Sequence, residues 1–147
     1  MKLSYSILVS AGLLFSGCHH RGGDPAAIKK VLETESATWR SGDIKAHAAC
    51  WKIQPYSRVL VSAADGSVFD VSPARMTDPA TPMGHGGSSQ NSNYQMNVNG
   101  KTAWVSHNEV STAVDGTKTY SYEIKLLEKD EGEWKLVGES IHLYKPK

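Results

Sequence analysis

The sequence predicts an α+β domain, with N-terminal helices packed on one face of a mainly antiparallel sheet. Three observations predict it. Apolar residues recur at helical spacing between Ile28 and Trp39, apolar and polar residues alternate through the second half, and turn signals separate the alternating runs. Helices first and a run of antiparallel strands afterwards argue for helices packed on one sheet face.

Asp24-Pro25 reads as a helix cap followed by proline at the first helical position. Ile28, Val31, Leu32 and Trp39 then share one helical face. Ser41-Gly42 stops that helix, and Asp43 caps a second, short one through Trp51, with His47 beside its apolar face. Arg58 to Ser62 reads as a strand, Asp65-Gly66 as a turn, and Ser67 to Val71 as a second strand. Ser72-Pro73 caps a brief helix through Met76.

Thr77 to Ser92 holds three glycines, two prolines and no apolar period, so it reads as a long loop. Its Gly84-His85-Gly86-Gly87 stretch lacks the lysine and helix start of a phosphate loop, and reads as a solvated loop or a lid. Tyr94, Met96 and Val98 alternate, Asn99-Gly100 is a strong hairpin signal, and Thr102 to Asn108 returns. Tyr120, Tyr122, Ile124 and Leu126 share one strand face, and Glu123 and Lys125 the other. Asp130-Glu131-Gly132 turns the chain into a last strand, Trp134 to Tyr144.

Ahead of this domain, Met1-Lys2 gives a positive start and Leu3 to Phe15 is largely apolar. That run suits a signal peptide and falls short of the ~20 residues of a membrane-spanning helix. Leu13-Leu14-Phe15-Ser16-Gly17-Cys18 resembles the lipobox of bacterial lipoproteins, although Phe15 stands where lipoboxes usually carry Leu, Val or Ile. The resemblance implies cleavage before Cys18 and lipidation of its thiol. Residues 1–17 are then the signal peptide, 18–23 a tether and 24–147 the domain. Each buried acyl methylene contributes ~0.8 kcal/mol, so several chains anchor stably. No aspartate follows Cys18, so the expected location is the outer membrane, facing the periplasm.

Of 147 residues, about 130 would remain after cleavage, enough for one domain with its own core. Loss of Lys2 leaves fifteen basic and fifteen acidic residues, and that neutrality argues against a nucleic-acid partner. With Cys18 lipidated, Cys50 has no thiol to pair with, and it reads as a small buried residue. The histidine spacing suggests no metal site, and no motif calls for a cofactor.

The order of elements resembles the nuclear transport factor 2-like, or SnoaL-like, superfamily. Thr38-Trp39-Arg40-Ser41-Gly42-Asp43, Asn99-Gly100-Lys101-Thr102-Ala103-Trp104-Val105 and Gly132-Glu133-Trp134-Lys135-Leu136-Val137 carry the resemblance. It implies a cone-shaped fold with a pocket between helices and sheet. It also implies either a binding module or an enzyme using a carboxylate or histidine as acid or base.

Glu139 is the first candidate base, a lone carboxylate in the row Val137, Glu139, Ile141 and Leu143. His107 follows Ala103 and Val105 by alternation and is the second. Tyr122 is the candidate proton donor. Tyr94, Tyr122, Tyr56, Trp51 and His47 are candidate ligand-binding residues, and plain core packing is the competing role for each. The leading expectation is a lipid-anchored binder of a small organic ligand or a partner. The alternatives are a proton-transfer enzyme (isomerase, dehydratase or hydrolase) and a structural homodimer. The dimer would pair through a sheet face bearing Trp104, Ser106, Glu123 and Lys125.

Overall fold

A computed structural model describes residues 23–146. The expected signal peptide, Cys18 and most of the tether lie outside the described residues. Helix α1, Gly23–Ser41, begins ahead of Asp24, which therefore sits in the first turn rather than at the cap. Its carboxylate instead accepts from Lys129 Nζ at 2.6 Å and Trp134 Nε1 at 3.1 Å, tying the helix start to the sheet. Ile28 and Leu32 are fully buried on the face that the spacing predicts. Gly42 ends α1 at φ 77°, where a Cβ would be strained, and Asp43 N–H donates to Thr38 O at 3.1 Å. Helix α2, Ile44–Ala49, starts with Asp43 Oδ1 accepting from Ala46 N–H at 3.0 Å.

Six strands follow: β1 (Val59–Ser62), β2 (Val68–Val71), β3 (Ser88–Asn99), β4 (Thr102–Thr112), β5 (Lys118–Asp130) and β6 (Glu133–Tyr144). They form one sheet in the order β2-β1-β6-β5-β4-β3. Only β1 and β6 pair in parallel. A 3₁₀ turn, Pro73–Met76, follows β2 and buries Met76. The apolar core joins Ile28 and Leu32 to Trp51, Val59, Met76, Ala103, Val105, Leu127, Trp134 and Leu136. Cys50 is buried, its Sγ donates to Ala46 O, and burial pushes its thiol up to about 11.

Two sequence expectations fail here. The loop reading of Thr77 to Ser92 is wrong at its end, because Ser88 to Ser92 pair with Asn108 to Thr112 of β4. That half-strand is polar on both faces, so no alternation announces it; Asn91 Nδ2 bonds Ser36 Oγ on α1 at 3.2 Å instead. A bulge between Ser92 and Gln95, with Asn93 at φ 55°, then resets the strand. The glycine stretch is no free lid either. Gly84 and Gly86 N–H groups donate to Trp39 O at 3.0 Å and Arg40 O at 2.7 Å, satisfying carbonyls at the end of α1. A Cβ on Gly84 would lie 2.5 Å from Arg40 O, so only glycine allows this docking.

A second bulge positions the candidate site. Leu126 pairs with Gly138 but Leu127 with Leu136, so Val137 is an extra residue in β6. Strand alternation alone would put Leu136 and Glu139 on opposite faces. The extra residue shifts the phase, and both side chains are buried, Leu136 at 0 % exposed and Glu139 at 7 %.

Candidate functional site

The buried face of the sheet is apolar at one end and ionisable at the other. Ala103 and Val105 of β4, Leu127 of β5 and Leu136 of β6 occupy the first part. Further along the same faces come His107, Ser111, Ser121, Glu123, Lys125 and Glu139. Helix α1 repeats the gradient: Ile28 and Leu32 give way to buried Glu35 and Ser36 on the following turn.

Strand register sets the charged groups against each other. Lys125 pairs with Glu139 across β5 and β6, and His107 with Glu123 across β4 and β5. Lys125 Nζ donates to Glu139 Oε2 and lies 3.3 Å from Glu35 Oε2. It also lies 3.0 Å from Glu123 Oε2, in ion-pair contact without hydrogen-bond alignment. Ser121 Oγ donates to Glu123 Oε1 at 2.7 Å. His107 Nε2 stands 3.7 Å from Glu123 Oε2, and His47 Nε2 stands 3.8 Å from Glu35 Oε1. Neither imidazole nitrogen has a hydrogen-bond partner among the described residues. Beside this group Glu109 accepts from Ser36 and Ser111.

Three carboxylates thus converge on one ammonium, and their environments separate them. Burial raises Glu35 to about 8, against the pull of Lys125 and with help from Glu139 and Glu123. Burial likewise raises Glu139, although Lys125 opposes it. At Glu123 burial is outweighed by Lys125, the Ser121 hydroxyl and His107, and its carboxyl falls below the usual value. Burial would discharge Lys125, but the surrounding carboxylates hold its ammonium well above the ordinary lysine value. Burial lowers both His47 and His107, so each is neutral at neutral pH. Among the described residues no set of His, Cys, Asp or Glu side chains is arranged to hold a metal ion.

A cavity of about 190 Å³ adjoins this cluster. Trp39 of α1, Val59 and Val61 of β1, Val71 of β2 and Met76 wall it, with Arg75 beside them and Glu35 and Glu139 also lining it. A larger groove of about 510 Å³ runs between α1, α2 and the β5–β6 turn, but no buried carboxylate or histidine lines it. The smaller cavity is the one that reaches Glu35 and Glu139, whereas a depression of about 320 Å³ lined by His107, Glu123, Tyr122 and His142 opens on the other side of the cluster.

The expected site residues divide sharply. Glu139, His107 and His47 are all buried in or beside the cluster, and Glu139 lines the cavity. Tyr94 stacks on His107 with ring centroids 5.4 Å apart, and its hydroxyl reaches Glu33 on α1. It walls the histidine rather than the cavity. Trp51 belongs to the core, its ring 6.4 Å from that of His47. Tyr56 is exposed and bonds Glu128 Oε1 at 2.6 Å, away from the cavity. Tyr122 is 53 % exposed on the outer sheet face, stacked on Tyr144. It does not line the cavity that Glu139 lines, but it borders the depression of about 320 Å³ together with His107 and Glu123.

The dimer-face residues also need correction. Trp104 is exposed as expected, but Glu123 and Lys125 are buried on the opposite side. The parity of β5 is inverted relative to hydrophobicity, with Tyr122, Ile124 and Leu126 outward and Ser121, Glu123 and Lys125 inward. Sequence reasoning consequently missed Lys125, Glu123 and Glu35. Glu35 carried a usable signal, since it lies seven residues after Ile28 and four before Trp39, on the buried helical stripe.

Solved structures share this architecture. A nuclear transport factor 2-like protein of unknown function from Shewanella baltica matches at TM-score 0.62 and 14 % identity, over 84 % of this chain and 95 % of that one. A nuclear transport factor 2-like protein with a cystatin-like fold from Novosphingobium aromaticivorans matches at TM-score 0.63 and 17 % identity, over 84 % of each chain. A protein with a cystatin-like fold from Nostoc punctiforme matches at TM-score 0.62 and 13 % identity, over 84 % and 92 %. No protein-family model matches the sequence, and no curated protein is detectably similar to it. At these identities the likeness is one of fold: the chain has the nuclear transport factor 2-like, cystatin-like fold. That fold hosts many unrelated functions, so the chemistry must be argued from the site.

Proposed function

We propose that this domain binds a small, partly apolar organic molecule in the cavity between α1, β1, β2 and β6. The carrying observation is an apolar-walled space of about 190 Å³ that reaches two buried carboxyls, Glu35 and Glu139. Drug-sized ligands occupy roughly 300–1,000 Å³, so the fitting molecule is smaller than those. A carboxyl raised to about 8 beside such a space also equips it to give or take a proton near neutral pH, with Glu35 as the acid or base. A Val61→Trp variant fills the cavity from β1 and leaves every residue of the ion cluster in place. It is expected to lose any small molecule that co-purifies with the wild-type chain in native mass spectrometry; equal retention would place the ligand elsewhere.

The location proposed for this pocket is the periplasmic face of the outer membrane, with Cys18 as the anchor. Leu13 to Cys18 supports that reading, as does the five-residue spacing between Cys18 and Asp24. A Cys18→Ala chain is expected to leave the membrane fraction, and unchanged fractionation would reject the anchor.

The outer sheet face favours a second reading, homodimerisation. Trp104 of β4 and Tyr122, Ile124 and Leu126 of β5 are each 44–53 % exposed and adjacent in register. Sedimentation of the wild type is expected to show concentration-dependent mass, and Trp104→Glu to reduce it to a monomer. A wild type that is monomeric throughout would remove this reading.

A further inference from the structure

We propose that the cavity receives the ammonium end of a small, otherwise apolar amine, seated at Glu35. The inference rests on the pocket reading above and adds a ligand class to it. The first ground is charge. Among the described residues Glu35, Glu123 and Glu139 share one cation, Lys125, with Glu109 behind them on β4, so Glu35 exchanges its proton for negative charge only when a second cation arrives. His47 and His107, which face the same cluster from α2 and β4, add no positive charge because burial keeps them neutral.

The second ground is an unused acceptor. Lys125 serves Glu139 and Glu123 and reaches Glu35 only through Oε2. Glu35 Oε1 has His47 Nε2 at 3.8 Å, too far for a hydrogen bond, although Glu35 is only 5 % exposed and lines the cavity. A carboxyl oxygen that lines a cavity with no donor within hydrogen-bond reach leaves an acceptor open to a ligand. An ammonium, with three donors and a full charge, completes it. The third ground is the walls: valines and methionine suit an apolar body, and the Trp39 indole is the best aromatic partner for a cation. Arg75, which also lines the cavity, is exposed and its charge is screened by water.

Binding an ammonium beside Glu35 displaces the proton that burial keeps there. Amine binding therefore releases a proton and tightens as pH rises, whereas a neutral ligand held by the protonated carboxyl loosens. The test is calorimetric titration of the full chain in detergent with benzylamine, benzyl alcohol and benzoate near pH 7. Benzylamine is expected to bind at least tenfold tighter than the alcohol, with benzoate weakest. Titration in two buffers of different ionisation heat should show proton release on amine binding. Glu35→Gln should remove at least tenfold of the amine's advantage over the alcohol and abolish the proton release. Equal binding of amine and alcohol, tightest binding of benzoate, or proton uptake with the amine would overturn the ligand class while leaving the pocket in place. Absence of binding by all three would overturn the ligand class, and a Val61→Trp chain that still retains the co-purifying molecule would overturn the pocket as well. The buffer comparison uses only the wild-type chain and so stands whether or not Glu35→Gln folds.

Discussion

Lys125→Met is expected to destabilise the domain by about 3–5 kcal/mol at neutral pH, since removing one partner of a buried ion pair leaves uncompensated charge. The side chain is 1 % exposed and is the shared partner of Glu35, Glu123 and Glu139. Methionine fills a similar volume, so the loss is electrostatic rather than a packing defect. Its signature is in the pH dependence. Without the ammonium all three carboxyls must be protonated to stay buried, so the variant should regain stability as pH falls towards the ordinary carboxyl range. Urea denaturation at pH 7.5 and pH 5 would measure this; a loss independent of pH would mean that it does not come from uncompensated carboxylate charge.

Glu35→Gln is expected to act in the opposite direction. Glu35 moves from its ordinary 4.5 to about 8 on folding. Between those values the folded state holds a proton that the unfolded state has lost, so wild-type stability falls as pH rises across that window. The contribution of Glu35 is fully present below its ordinary value and is lost as pH passes its folded one. Glutamine mimics the protonated carboxyl and has nothing to ionise. The two proteins should therefore be nearly equally stable at pH 4.5, and the variant more stable at pH 8.5 by on the order of a few kcal/mol. Glu123 behaves conversely: its lowered value contributes stability above the ordinary carboxyl range that is lost as pH falls, so both proteins should share an acid limb. Parallel stability curves across pH 4.5–8.5 would show that Glu35 is not protonated by the fold.

Much of the fold is legible because local signals agree with it. Ile28 and Leu32 mark the buried stripe of α1, Asp43 caps α2, and Asn99-Gly100 turns β3 into β4. The errors fall where a local signal is silent or balanced. Ser88 to Ser92 carry no alternation, so their pairing with β4 is visible only in the backbone ladder. The two faces of β5 are balanced differently: Tyr122, Ile124 and Leu126 make the outward face the more apolar one. Hydrophobicity alone then selects the wrong face.

Within the candidate site, Glu139 and His107 were visible as ionisable residues in apolar rows, and His47 through its place beside Trp51. Lys125 and Glu123 were not, because a charged residue on an alternating strand reads as solvent-facing unless its partner is known. That partner is Glu35, separated from Lys125 by 90 positions. No spacing rule connects residues so distant along the chain.

By itself, then, the sequence determined the class of fold, the order of its elements, the apolar stripe of α1 and the expectation of a membrane address at Cys18. Those properties follow from periodicity, caps and turns, which act over a few residues. Tertiary structure decided which face of β5 is buried, whether Leu136 and Glu139 share a side, and which carboxyls meet Lys125. The physical reason is that burying a charge is unfavourable in isolation and becomes tolerable only when opposite charges arrive from other elements. An extra residue at Val137 and a glutamate one helix turn beyond Leu32 supply that arrangement, and neither has meaning until the helix lies across the sheet.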